Sequence, residues 1–247
     1  MKKLIKKTIG LILSPFLLKD FLAFHKSLRS GDKSSTRFAF NIRDLHCQIK
    51  DKTIKTNFDR HYVYHTSWAA RVLAESKPQK HVDVSSSLYF SGIVSAFVPI
   101  DFYDYRPANL DLSNLSSYEG DLLSLPFKDS SVNSISCMHT IEHIGLGRYG
   151  DKIDYDGDLK AVKELKRVTS VGGNLLIVLP IGEKAIIQFN AHRIYTYDQI
   201  LAMFQEFRLK EFSLIPEHDS KGGLIRNATP EQIRGEKYAC GCFWFIK

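Results

Sequence analysis

The chain has 247 residues and a mass of 28.2 kDa, with 44% hydrophobic residues. That length and apolar content suffice for one sizeable core and exclude a chain disordered throughout. The net charge of +7 is unevenly spread: residues 1–60 carry 14 Lys/Arg against 5 Asp/Glu, so the basicity belongs to an N-terminal arm and speaks against a nucleic-acid-binding face on the remainder.

Residues 1–24 combine Lys2, Lys3, Lys6 and Lys7 with an apolar surface of Ile, Leu and Phe. The uncharged run 8–18 is too short for a bilayer of about 30 Å at 1.5 Å per residue, and no small-residue cleavage pattern follows it. Two readings stand side by side: a basic amphipathic helix on an anionic membrane surface, or a helix kinked at Pro15 whose apolar face packs on the main domain. We set the arm at 1–60 and the main domain at 61–247. A helix is read over 61–76, where Tyr62, Tyr64, Trp68, Ala69, Val72 and Leu73 share one face, and Lys77-Pro78 ends it. It is expected to cover a sheet face.

Strand, helix and strand follow over 81–84, 88–96 and 98–103, the last running into Asp104. After Gly120-Asp121 comes an apolar run, 134–138, and then the polar cluster His139-Thr140-Ile141-Glu142-His143-Ile144. A helix over 158–169 turns Leu159, Val162, Leu165 and Val168 inward. Gly172-Gly173 is read as a turn, 174–180 as a buried strand and 197–207 as a helix. Residues 209–215 and 239–246 are read as two antiparallel strands. Such alternation makes a parallel α/β sheet, in which ligands gather outside the carboxyl ends of the strands, where the His/Glu/His cluster lies. Asp104 follows Asp83 at about the distance, roughly 20 residues, at which a carboxylate reaches ribose hydroxyls in nucleotide-binding βαβ units.

Cys137 and Cys242 sit in apolar runs and read as reduced core residues. A lone Cys-Gly-Cys at 240–242, without a second pair, is not a zinc pattern, and His139 and His143 with Asp151 or Asp154 do not have the spacing of a known metal motif; no metal is expected. A reducing, cytoplasmic setting follows.

Val82-Asp83-Val84, Asp104, Gly120-Asp121 with Leu125-Pro126-Phe127, Ile141-Glu142-His143-Ile144, and Glu164-Leu165 with Arg167-Val168 and Gly172-Gly173 together resemble the class I S-adenosylmethionine-dependent methyltransferases, nearest the small-molecule type 11. The likeness spans about residues 80–215. It implies a Rossmann-like three-layer sandwich, with a mostly parallel seven-stranded sheet and an antiparallel C-terminal hairpin. It further implies S-adenosylmethionine as cofactor, Asp104 on the ribose, Asp121 and Leu122 on the adenine edge, and Asp83, Ser85 and Ser87 around the methionine end. The first loop departs from the family's glycine-rich pattern, reading Asp83-Val84-Ser85-Ser86-Ser87. A left-handed serine there costs on the order of 1 kcal/mol. A serine hydroxyl can instead cap the following helix or bind a carboxylate.

Methyl transfer to a hydroxyl needs alignment and a base. His139 is the first candidate, with His143 and His192 completing the set. Arg148, Tyr149 and Asp151 suit a lid, and Arg193 an anionic group. The expectation is a cytoplasmic methyltransferase acting on a small-molecule or glycan acceptor such as a sugar hydroxyl, held through residues 1–24 at the inner face of a membrane. The alternative is an inactive methyltransferase-like binding or scaffold protein at that membrane.

Overall fold

The computed structural model describes residues 15–30, 38, 40–48 and 51–247. They fall into two compact units, Met1–Asn57 and Phe58–Lys247. In the first, helix α1 (Pro15–Ser30) places Phe21 and Phe24 against Phe40, with ring centroids 6.0 and 5.4 Å apart. The lysine-rich start of the arm lies outside the described residues. No described helix is long and apolar enough to cross a membrane.

The second unit is built on a seven-stranded sheet. Its strands are β1 (His81–Val84), β2 (Ile100–Asp104), β3 (Leu115–Glu119), β4 (Val132–Met138), β5 (Thr169–Ile181), β8 (Arg208–Ile215) and β9 (Ala239–Ile246), in the spatial order β3-β2-β1-β4-β5-β9-β8. A separate hairpin pairs β6 (Ile186–Gln188) with β7 (His192–Ile194). β1 to β5 run parallel, while β9 is antiparallel to both β5 and β8. Helices α2 (Arg60–Ser76) and α3 (Leu88–Val94) pack on one face, where Trp68, Phe90 and Trp244 share a core. α4 (Gly157–Val168) and α5 (Tyr197–Met203) cover the other, over Leu165, Phe204 and Phe243.

This is the expected three-layer sheet with its antiparallel end, and α2 covers a sheet face as read. Some local readings change. Gly172 does not end an element: β5 runs through it at φ +77°, and its N–H donates to the Lys247 carbonyl at 2.8 Å. On α4, Leu159 is 48% exposed and Ala161 is buried in its place, because the face turned to the sheet is Ala161, Val162, Leu165 and Val168.

Asp83 in β1 is fully buried and accepts hydrogen bonds from Ser91 Oγ at 2.6 Å and Ser136 Oγ at 2.5 Å. Ser136 also meets His81 Nε2 at 2.9 Å. Burial pushes the Asp83 carboxyl up to about 6, the serine hydroxyls opposing it. From its ordinary value of 3.8 to about 6, the native state therefore keeps a proton that the unfolded chain has lost. Stability should fall as pH rises through that window, by roughly 3 kcal/mol in all at 1.36 kcal/mol per unit. Asp83→Asn should flatten this slope in thermal melts taken from pH 4 to 7. Equal slopes in the two proteins would show that Asp83 titrates alike folded and unfolded.

Candidate functional site

The strand order reverses between β1 and β4, and the loops after β1, β2, β3 and β4 meet there around a cleft of about 410 Å³. Sites for small molecules occupy about 300–1,000 Å³. Ser85, Asp104, Asp121, Leu122, His139 and His143 all line it. Asp104 Oδ1 accepts from the Arg106 N–H at 2.7 Å and Asp121 Oδ1 from the Leu123 N–H at 2.8 Å. These turns aim each carboxylate and leave Oδ2 with no hydrogen-bond partner among the described residues. Between them, Gly120 admits the Tyr103 ring, which a Cβ at that position would approach to 2.9 Å.

Two clamps fix the loop that follows. Glu164 Oε1 accepts the Leu125 N–H at 2.7 Å, and Arg167 donates to Glu164, to the Phe127 carbonyl at 2.8 Å and to Asp129. Both side chains tie the Leu125-Pro126-Phe127 segment to α4.

Ser85 takes the left-handed conformation, at φ +55°, and its N–H donates to the Tyr103 carbonyl at 2.8 Å. Serine thus adopts a backbone shape that glycine reaches without strain. Ser86 Oγ accepts from the Met138 N–H at 3.1 Å and fastens the loop to β4. Ser87 occupies the N-cap position of α3 without a side-chain cap bond. Neither Ser87 nor Asp83 lines the cleft. Asp83 is turned away because its carboxylate is spent on Ser91 and Ser136 inside the sheet.

A second cleft, of about 580 Å³, shares His139, His143 and Tyr149 with the first and is further lined by His61, Tyr62, His192 and Tyr238. His139 sits directly after β4 at φ +55°, a strained position for a residue with a side chain. Both of its ring nitrogens have protein partners: Nδ1 lies 2.9 Å from Glu142 Oε1, and Nε2 lies 3.5 Å from Cys240 Sγ. Burial opposes its imidazolium, but the Cys240 sulfur and the Glu142 carboxylate outweigh that and lift it to about 10. Burial also pushes the Cys240 thiol well above its ordinary value, against the pull of His139.

His143 is organised differently. Its Nδ1–H donates to the Ala191 carbonyl at 2.6 Å, which fixes the tautomer and leaves the lone pair on Nε2. Burial holds it below its ordinary value, against the pull of Glu142, so the ring is neutral near pH 7. His192, on β7, stacks on Tyr238 with centroids 4.9 Å apart, and its Nε2 is buried with no partner. The three histidines named from sequence thus meet at one place.

The loop after His143 is a brace. Asp151 Oδ2 accepts from the Gly145 N–H at 2.7 Å and the Gly147 N–H at 3.2 Å, and Gly145 holds φ +82° where a Cβ would strike the Asp154 carbonyl. Asp154 pairs with Lys160. The two aspartates are engaged by these partners. Arg193, expected to hold an anion, is 5% exposed and donates to the Ile144 carbonyl at 2.7 Å and the Tyr155 carbonyl at 2.9 Å. Tyr149 carries Arg106 and Arg148 over its ring at 5.1 and 5.2 Å.

Sequence reasoning missed the contribution of α2. His61 and His65 lie four residues apart on one face of that helix, and both rings meet His139, at 5.6 Å stacked and 4.9 Å edge-on. Paired histidines at that spacing were the available signal. Cys240 and Tyr238, at the start of β9, were also missed.

Residues 126–220 match the family profile described as Caenorhabditis protein of unknown function, DUF268. No curated protein matches the chain. Among solved structures, a candidate sarcosine dimethylglycine methyltransferase from Galdieria sulphuraria superposes with a TM-score of 0.52 at 16% identity, over 75% of this chain and 86% of that one. A candidate methyltransferase of Haloferax volcanii, solved with the Trm112 methyltransferase activator, gives 0.50 at 17% identity over 76% and 90%. One from Bacillus halodurans gives 0.50 at 16% over 74% and 98%. With its sheet order and these likenesses, the chain has the fold of the class I S-adenosylmethionine-dependent methyltransferases.

Proposed function

We propose that this chain is an S-adenosylmethionine-dependent methyltransferase acting on a small polar acceptor, with a sugar hydroxyl as the acceptor class. The observation that carries the reading is the pair of clefts that share His139, His143 and Tyr149. One has the acids a nucleoside needs, and the other has the histidines and tyrosines that suit a polar acceptor.

The residues present fit the cofactor. Asp104 and Asp121 each keep a carboxylate oxygen for ribose hydroxyls and the adenine amino group, Leu122 offers an apolar wall, and left-handed Ser85 brings backbone up to the cleft. When bound, the cofactor supplies an electrophilic methyl group for direct displacement. His143 Nε2, neutral and free of a backbone partner, takes the acceptor's proton. His192 and Tyr238 line the acceptor side. Calorimetry of the full chain with S-adenosylmethionine and its demethylated product should give saturable heats; two flat titrations would sink this reading.

The arm carries the second half of the proposal: residues 1–24 bind an anionic membrane surface and hold a cytoplasmic enzyme at the inner leaflet. Each lysine near such a surface contributes about 1 kcal/mol, so the cluster Lys2, Lys3, Lys6 and Lys7 with its apolar neighbours gives reversible binding that salt weakens. The full chain should co-sediment with phosphatidylserine-containing vesicles at low salt, and a chain starting near Ser30 should not. Aggregation or loss of the cooperative melt on truncation would place the arm's apolar face in the core instead.

A further inference from the structure

We propose that His61, His139 and Cys240 form a site for a tetrahedral divalent cation of the zinc class, with the fourth coordination position opening into the second cleft. The proposal goes beyond methyl transfer and does not depend on it. The sheet brings the three together from distant parts of the chain. His61 lies in the first turn of α2, His139 directly follows β4, and Cys240 begins β9. Because β9 runs antiparallel, its start lies beside Pro180, at the carboxyl end of the parallel strands.

One ligand atom from each residue lies within 4.8 Å of the others. His139 Nε2 and Cys240 Sγ are 3.5 Å apart. A tetrahedral zinc with bonds of about 2.3 Å to sulfur and 2.0–2.1 Å to nitrogen sets those atoms roughly 3.5–3.6 Å apart, so the spacing is that of two ligands across one cation. A thiol hydrogen bond would give the same distance, and the surroundings distinguish the two.

Metal-bound histidines commonly donate their second ring N–H to a carboxylate, which fixes the ring and raises its donor strength. His139 Nδ1 has that partner in Glu142, at 2.9 Å. Glu142 is 1% exposed and His65 is fully buried, yet Glu142 Oε2 and His65 Nε2 have no partner. Such orphans are rare in an interior, and here both border the His139 ring. The polar capacity of this pocket exceeds what the protein alone satisfies.

The donor set selects the ion. Two imidazoles and a sulfur suit zinc or cobalt; magnesium and calcium require oxygen ligands. Three protein ligands with a fourth position open to a cleft is the catalytic arrangement, whereas structural sites are closed by four. His61 and His139 both line the second cleft, so the open position faces the space assigned to the acceptor.

The test uses the full chain loaded with zinc, exchanged into a metal buffer and assayed by atomic emission. Wild type should hold one zinc per chain, and Cys47→Ser, altered in the other unit, should keep it. His61→Ala and Cys240→Ser should each lose stoichiometric metal, and Glu142→Gln should weaken zinc by about 10- to 100-fold. Cobalt in place of zinc should give a sulfur-to-metal charge-transfer band in wild type. A metal-free wild type with no such band, or undiminished zinc in both His61→Ala and Cys240→Ser, overturns the site. Cofactor calorimetry is run on separate samples, so a failure there leaves the metal result readable.

Discussion

Alanine at His143 is expected to lower kcat for methyl transfer by about 10²- to 10⁴-fold, with a much smaller effect on S-adenosylmethionine affinity. The argument starts from the two ring nitrogens. Nδ1–H is committed to the Ala191 carbonyl at 2.6 Å, so the basic lone pair is on Nε2, and burial keeps it unprotonated near neutrality. His139 lacks this freedom, since Glu142 and Cys240 occupy both of its nitrogens. Because burial lowers the His143 pKa below 6.5, the acid limb of kcat/KM should lie below that value in wild type and disappear in His143→Ala. Initial rates of radiolabelled methyl transfer to a panel of hydroxyl acceptors, run beside calorimetry, separate chemistry from binding. An unchanged kcat removes His143 from the chemistry, and an equal fall in cofactor affinity makes it a binding residue.

Much of the scaffold could be read because its signals are local. The strands at 81–84 and 239–246 stand as read: 239–246 is an apolar run closed by Lys247, and 81–84 lies between the break at Lys77-Pro78 and the serines 85–87. β3 escaped notice: Leu115-Ser116-Ser117-Tyr118-Glu119 has a single buried apolar residue, and pairing with β2 at the sheet edge is what makes it a strand. The helix read over 197–207 ends at Met203, after which Phe204 and Phe207 turn in to pack around Phe245.

The site divides along the same line. Asp104, Asp121 and Ser85, which the family resemblance points to, line the first cleft because each ends a strand or lies in the loop after one. Asp83 could not be placed from the sequence, because its burial depends on Ser91 and Ser136, which come from a helix and a neighbouring strand. Nor could the joining of His61, His139 and Cys240, which depends on where α2 begins and on the insertion of β9 between β5 and β8. Contacts made across a sheet leave no periodicity in the sequence.

Asp104→Ala should raise the dissociation constant for S-adenosylmethionine by roughly 10- to 150-fold, from the loss of about 1.5–3 kcal/mol of charge-assisted hydrogen bonding. The residue stands at the carboxyl end of β2, beside Gly120 and the turn to Asp121, and it lines the first cleft. Its Oδ1 also accepts the Arg106 N–H at 2.7 Å, so alanine removes a turn as well as a ligand. Asp104→Asn separates the two effects, since the amide oxygen can still accept from Arg106 while the charge is lost. If the carboxylate itself holds the ribose, both variants weaken binding in calorimetry and both melt near the wild-type temperature. If asparagine binds like wild type and only alanine fails, Asp104 acts by shaping the loop, and the nucleoside must find its main acceptor in Asp121.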